Sequence, residues 1–160
     1  MSHDWILWIA VTAIAMHTME ERMLNWLPWG KRRLRYHGTW EHYYVLTGAL
    51  WLAGVAAAII GWRFPIFGVG LLAEMYIDSI LLHIGPTLLY REFSPGVLSA
   101  VFIYLPAASI CLFVAEIDGV LTPSVLLYGF LIGFFFHLWP LVLNLLIPWR
   151  NRKSAGSTTR

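Results

Sequence analysis

Cysteine and charge are both scarce in this chain. The single cysteine, Cys111, lies inside an apolar run, which excludes a disulfide framework and a site built from several thiolates. Only 12% of the residues are charged, whereas soluble domains average about 25%. The sequence has no internal repeat and no signature of nucleic-acid binding, so we expect no nucleic-acid partner.

Apolar residues are abundant instead. They make up 59% of the chain, against about 45–50% in soluble domains. The mean hydropathy is +0.66. These values predict an all-α integral membrane protein, and 160 residues suffice for one compact bundle.

Five apolar stretches reach the roughly 20 residues that a helix needs to cross a bilayer. They are residues 5–24, 43–61, 65–90, 96–114 and 123–147. We therefore predict a bundle of five transmembrane helices that forms a single domain over residues 1–153. The remaining residues, 154–160, are predicted to be a disordered polar tail.

The basic residues predict the orientation of this bundle. With five crossings, ten of the 11 Lys and Arg residues share one side, and Arg63 lies alone on the other. The ten are Arg22, Lys31, Arg32, Arg33, Arg35, Arg91, Arg150, Arg152, Lys153 and Arg160. Because cytoplasmic loops carry the excess of Lys and Arg, we expect the N-terminus outside, the C-terminus inside and a location in the cell inner (plasma) membrane.

An ionisable motif lies near the end of the first apolar stretch. His17, Glu20 and Glu21 stand at i, i+3 and i+4, so a helix places them on one face. An imidazole and two carboxylates are costly in lipid, where such groups pair, coordinate a ligand or do chemistry. The motif is therefore the first candidate for a functional site.

Two further histidines are expected at the same depth. In the predicted topology the first, third and fifth spans run in the same direction, and His17, His83 and His137 lie seven to ten residues before the ends of these spans. At 1.5 Å rise per residue, the three depths agree within about 5 Å. This agreement predicts that three helices contribute a histidine to one layer in the cytoplasmic half.

Other polar groups of the third and fifth spans form a predicted secondary cluster. It comprises Glu74, Asp78 and Asn144. Regular helix geometry turns Glu74 and Asp78 about 140–180° away from His83, so we expect them to face elsewhere. Pro86 has no N–H, and we expect it to free the carbonyl of Leu82 beside His83.

The pattern His17-x-x-Glu20-Glu21 resembles the defining motif of the HXXEE family of small bacterial membrane proteins. His83, the pair Pro95-Gly96 and His137 resemble later positions of that family. Ser79, four residues before His83 and next to Asp78, stands where the family has Asn. The resemblance implies a shared site over most of the chain and no particular reaction.

Histidine and carboxylate ligands suit a divalent metal, zinc or non-haem iron. We predict His17, Glu21, His83 and His137 as metal ligands. Glu20 or Glu21 can complete the ligand set, bridge a second metal or act as general base, and Ser79 can orient a ligand or stabilise an oxyanion. The function expected first is a metal-dependent, hydrolase-like enzyme acting on a lipid or other hydrophobic substrate, and a two-iron oxidation site is a variant of it.

Two alternatives need no metal. An isomerase or cyclase can protonate an isoprenoid-like or sterol-like alkene with Glu20 or Glu74 as the acid, His17 or His83 as the base and aromatic rings around the cation. A non-enzymatic protein can use the same groups to bind a lipid or an ion, or to relay protons. The metal-dependent enzyme is expected first, the acid–base enzyme second and the non-enzymatic protein third.

Overall fold

A computed structural model describes the backbone of residues 2–157 and the side chains of residues 2–139 and of Val142. The described part contains helices and no strands, which confirms the all-helical prediction. The α-helices are α1 (Leu7–Met23), α2 (Trp26–Arg33), α3 (Trp40–Ile60), α4 (Pro65–Asp78), α5 (Gly85–Tyr90), α6 (Val97–Ser99), α7 (Leu105–Ile117) and α8 (Pro123–Ser157).

Three helical rods are long and apolar enough to cross a membrane, judged by length and composition: Trp40–Arg63, Pro65–Tyr90 and Val97–Ile117. They coincide with the predicted second, third and fourth spans. α1 is shorter, at 17 residues, and carries the ionisable motif. The described side chains of α8 include an apolar stretch, Pro123–Trp139. The chain is thus a membrane protein, and its described residues include three candidate spanning helices.

Two turns of π-helix interrupt the rods. One, Ser79–Ile84, joins α4 to α5, and the other, Ala100–Tyr104, joins α6 to α7. Single π-turns inside α-helices are rare and are frequent at functional sites. Both turns carry side chains that contact His17, namely His83 in the first and Tyr104 in the second.

Helices α4 and α8 approach each other backbone to backbone. A Cβ added to Gly133 of α8 would lie only 2.6 Å from the carbonyl oxygen of Gly70 on α4 and 2.7 Å from the backbone nitrogen of Glu74. Small residues permit such approaches between helices in lipid. The two helices run parallel to each other. Gly129 of α8 lies against Gly70 of α4, and Gly133, one turn later on α8, reaches Glu74, one turn later on α4.

Polar contacts tie the connecting segments together at each end of the bundle. At one end, Asp118 accepts hydrogen bonds from His3 and from Trp62. These bonds, above all the one from the backbone N–H of His3, lower the pKa of Asp118. At the other end, Arg32 and Arg33 of α2 pair with Glu92, which follows α5.

A core of small and aliphatic side chains surrounds α1. Leu7, Ala10 and Ile14 are completely buried, and they belong to one cluster with Leu72 and Tyr104. Cys111 belongs to the same cluster, where its thiol donates to the carbonyl of Ile6 at 3.4 Å. α1 is therefore the central element of the bundle, and the ionisable motif extends from its buried face.

Candidate metal centre

The buried groups of the motif converge with His83 on one point. His17 and Glu21 are 3% and 6% exposed and lie one turn apart on α1, and His83 is completely buried. Nε2 of His17 lies 3.1 Å from Nε2 of His83, and Oε1 of Glu21 lies 3.6 Å from the same His83 nitrogen. One ligand atom from each of the three residues lies within 4.8 Å of the others.

Asp78 joins this group, contrary to the expectation from regular helix geometry. Its Oδ2 lies 3.2 Å from Nε2 of His17 and 3.5 Å from Nε2 of His83. Residues five apart in an α-helix point to different faces, since each residue turns the chain by about 100°. Hydrogen bonds in a π-turn run from i to i+5, and the π-turn after Asp78 brings Asp78 and His83 to one face.

Ser99 fixes the tautomer of His17. The Ser99 hydroxyl donates to the carbonyl of Gly96 at 3.2 Å, so its oxygen is left to accept the Nδ1–H of His17 at 2.7 Å. A neutral imidazole has one N–H, so Nε2 of His17 keeps its lone pair. This lone pair points to the space between His17, His83, Glu21 and Asp78, which is called the centre below, because Nε2 is the atom next to His83 and Asp78.

Ser94 does the same for His83. Pro86 was predicted to free the carbonyl of Leu82, and the Ser94 hydroxyl donates to that carbonyl at 3.3 Å. The Ser94 oxygen also lies 3.3 Å from Nδ1 of His83, where it can accept the ring N–H. The missing N–H of a proline thus positions the serine that orients the second histidine.

Glu21 is held in the same manner. The Tyr43 hydroxyl of α3 donates to Oε2 of Glu21 at 2.6 Å, which leaves Oε1 facing His83. Metal-binding side chains typically have their other polar atom held by such a partner. His17, His83 and Glu21 therefore each present one held atom and one atom directed to a common point.

Gly96 closes the centre from the side of α6. Its φ of +99° lies in the left-handed region, which favours glycine. A Cβ here would lie 2.5 Å from Cε1 of His83 and 3.0 Å from Cγ of Glu21. Glycine is therefore required both by the backbone conformation and by the closeness of the His83 and Glu21 side chains.

Glu20 has a different role from Glu21. Its Oε1 accepts the backbone N–H groups of Gly96 at 3.2 Å and Leu98 at 3.3 Å. Its Oε2 accepts that of Ser99 at 2.6 Å. A carboxylate at this position caps the free N–H groups at the start of a helix, and its negative charge interacts favourably with the helix dipole. Glu20, predicted as a catalytic group, thus docks α1 onto the rod that carries Ser99.

The other predicted residues lie outside this cluster. Ser79 is completely buried, and its hydroxyl donates to the carbonyl of Met75 at 2.7 Å. His137 is grouped with Glu74 and Asp78, with ligand atoms within 4.8 Å of one another. The four predicted ligands thus fall into two groups, since His17, Glu21 and His83 lie together and His137 lies with Glu74. Asp78 lies near both groups. The side chain of Asn144 lies outside the described residues.

The geometry suits a metal ion. Two histidine nitrogens at about 2.0–2.1 Å from one zinc ion, with angles between 90° and the tetrahedral value, lie about 2.8–3.4 Å apart. The distance from Nε2 of His17 to Nε2 of His83 is 3.1 Å. Nitrogen and carboxylate donors suit zinc, iron and manganese. An ion at this point would contact His17 and His83, with Glu21 and Asp78 beside them.

Sequence reasoning missed Ser94, Ser99 and Tyr43, and it named Gly96 without a role. Serine and tyrosine are common in membrane helices, and the serines lie 11 and 82 residues from the histidines they orient. A signal existed for Gly96 in the pair Pro95-Gly96, and for Ser94 in the carbonyl that Pro86 leaves free.

Comparison with known proteins identifies the family. Residues 8–111, more than half of the chain, match a family model described as "Protein of unknown function with HXXEE motif". The chain belongs to this family. No curated protein and no solved structure matches it.

The HXXEE match includes most of the cluster described above. His17, Glu20 and Glu21 are the motif itself, and the matched range also contains Asp78 and His83. His137 lies beyond the range. The motif therefore combines two tasks, since His17 and Glu21 face the centre while Glu20 caps the neighbouring rod.

Proposed function

We propose that this HXXEE protein is a metal-dependent membrane enzyme that hydrolyses a lipid or another hydrophobic substrate. The observation that carries the proposal is the orientation of His17, Glu21 and His83. A hydroxyl group holds the outer atom of each, and the inner atoms face one point. Zinc or iron would be bound there by the two histidines and the neighbouring carboxylates.

The chemistry at this point would be attack of water on an ester or amide. A divalent ion held beside His17 and His83 would supply Lewis-acid chemistry, which activates a carbonyl group and a water molecule. The water oxygen bonds to the carbonyl carbon, and the bond to the leaving oxygen or nitrogen breaks. Of the carboxylates at the centre, one that does not hold the ion would pass the water proton to the leaving group, and Glu21, whose Oε1 faces the centre, is placed to act as this base.

An apolar groove supports a hydrophobic substrate. A cavity of about 570 Å³ lies between α4, α7 and α8, lined by aliphatic and aromatic side chains. Pockets for small molecules have similar volumes, about 300–1,000 Å³. Its lining residues Ala73 and Ile77 adjoin Glu74 and Asp78 in the sequence. A lipid chain in this groove would lie along α4, the helix that carries Glu74 and Asp78.

We also propose five crossings of the plasma membrane, with the N-terminus outside and the C-terminus inside. The excess of basic residues on one side supports this orientation. Contacts of His3 and Trp62 with Asp118 join three segments proposed to be outside, and contacts of α2 with Glu92 join two proposed to be inside.

Thiol labelling tests the topology. A membrane-impermeant maleimide applied to intact cells should label Thr122→Cys and should not label Phe93→Cys, in a Cys111→Ser background. Both positions are exposed at loops on opposite ends of the bundle. Labelling of Phe93→Cys alone would reverse the orientation, and labelling of both would contradict the number of crossings.

Metal analysis and an isotope assay test the function. Protein purified without chelators should contain zinc or iron, and His83→Ala should lose it, whereas the matched variant His3→Ala should keep it. Incubation of the protein with membrane lipid extract in H₂¹⁸O should release acids that contain ¹⁸O. Metal-free wild-type protein, or acids without ¹⁸O beyond the level of His83→Ala, would contradict the proposal.

The second candidate is a metal-free acid–base enzyme. It is favoured by the position of Asp78, whose Oδ2 lies within 3.5 Å of both imidazoles and can share protons with them. The stacked ring of Tyr104, 4.2 Å from His17, can stabilise a cation. This function predicts incorporation of deuterium from D₂O into an isoprenoid substrate by protein that contains no metal.

A further inference from the structure

Glu74 is a buried carboxylate with an unsatisfied oxygen. The residue is 5% exposed, and its Oε2 has no hydrogen-bond partner among the described residues. An unpaired buried carboxylate is costly, and such groups pair, bind a proton or coordinate a cation. The cluster around His17 and His83 does not use this oxygen.

Glu74 lies next to two further potential ligands. One ligand atom each of Glu74, Asp78 and His137 lies within 4.8 Å of the others. His137 is 5% exposed, so the group is shielded from solvent. One imidazole and two carboxylates form a ligand set that zinc, iron and manganese accept.

The contact between α4 and α8 positions this group. Gly70 and Gly133 allow the two backbones to approach each other closely. Glu74 follows Gly70 by one turn, and His137 follows Gly133 by one turn. Because the helices run parallel, His137 comes to lie beside Glu74 and Asp78.

Asp78 belongs to both groups. Its Oδ2 lies near the ring nitrogens of His17 and His83, and the residue is also within ligand distance of Glu74 and His137. A carboxylate has two oxygens and can bridge two ions, which lie about 3.5–4 Å apart in two-metal sites. Asp78 is the only residue shared by the two groups among the described side chains.

We propose that Glu74, Asp78 and His137 form a second metal site, and that Asp78 bridges it to the first. The proposal rests on the function proposed above, because it extends the same centre. The centre then has three histidines and three carboxylates around two divalent ions.

Metal stoichiometry tests the two sites separately. Wild-type protein loaded with Mn²⁺ and freed of excess ion should retain about two ions per chain. Glu74→Gln, which preserves the side-chain volume, and His137→Gln on the other helix should each retain about one. His83→Gln should lose the ion of the first site, and His3→Gln, the matched control, should retain two.

Electron paramagnetic resonance tests the bridge. Two Mn²⁺ ions joined by a carboxylate should give an exchange-coupled spectrum in the wild type, and Glu74→Gln should give the six-line spectrum of an isolated ion. A wild type with one ion, kept in Glu74→Gln and lost in His83→Gln, would overturn the second site and leave the proposed function standing. A wild type with no bound ion would overturn both, and a proton on Glu74 would then explain its unpaired oxygen.

Discussion

Ser99 is predicted to control the affinity of the centre for an ion that its own side chain would not contact. In Ser99→Ala, Nδ1 of His17 loses the hydroxyl that accepts its proton at 2.7 Å. The ring can then adopt the other tautomer, which places a proton on Nε2 and blocks the lone pair needed by the ion. The substitution therefore acts on His17 through its protonation and orientation.

The expected magnitude follows from such partners in known metal sites. Loss of a group that orients a metal-bound histidine costs about 10–100-fold in affinity, which corresponds to about 1.4–2.7 kcal/mol. The Ser99 hydroxyl also donates to the carbonyl of Gly96, so the fold should lose about 1 kcal/mol of stability as well. The effect on binding should exceed the effect on unfolding.

Competition for Zn²⁺ against a chromophoric chelator measures this affinity in detergent. The matched control is Ser109→Ala on the same rod, since the Ser109 hydroxyl bonds to the carbonyl of Leu105 and lies outside the centre. Ser99→Thr retains a hydroxyl and should restore most of the binding. Wild-type affinity in Ser99→Ala, or an equal loss in Ser109→Ala, would refute the reasoning.

Three other substitutions test different parts of the structure. Glu20→Ala should lower the free energy of unfolding by about 1 kcal/mol, because three backbone N–H groups lose their acceptor, and it should keep the metal content. Thermal unfolding and metal analysis of one sample check both results. Loss of metal without a loss of stability would contradict this role of Glu20. Gly133→Ala should separate α8 from α4 and lower metal content, whereas Gly48→Ala, where an added Cβ has nothing within 4 Å, should behave as wild type in the same analysis. The pKa of Glu92 lies below its usual 4.5, first because Arg33 of α2 donates to its carboxylate, so this contact stabilises the fold above pH 4.5 and is lost as the pH falls through the lowered pKa. The tryptophan fluorescence of α2 should therefore change with acid in the wild type, and Glu92→Gln should abolish this change. An unchanged acid transition in Glu92→Gln would argue against the contact.

Helix periodicity was enough to predict part of the centre. His17 and Glu21 lie one turn apart, and any regular helix places them on one face. The carbonyl freed by Pro86 could also be predicted, because proline has no N–H. These features depend on local geometry that a sequence specifies directly.

Asp78 could not be placed in this way. Its approach to His83 depends on a π-turn, and an α-helical count directs the two side chains apart. The pairing of Glu20 with the start of α6 likewise depends on how two helices dock. Features of this kind arise from packing between distant segments, which hydrophobic patterns do not encode.

X-ray absorption at the zinc edge tests the central claim most directly. Protein loaded with Zn²⁺ and freed of excess ion should show nitrogen and oxygen ligands at about 2.0–2.1 Å, with the outer-shell scattering of imidazole. This imidazole signal should weaken when His17 and His83 are replaced by glutamine. A zinc ion surrounded by oxygen alone, or a protein that binds no zinc, would contradict a metal centre at the HXXEE motif.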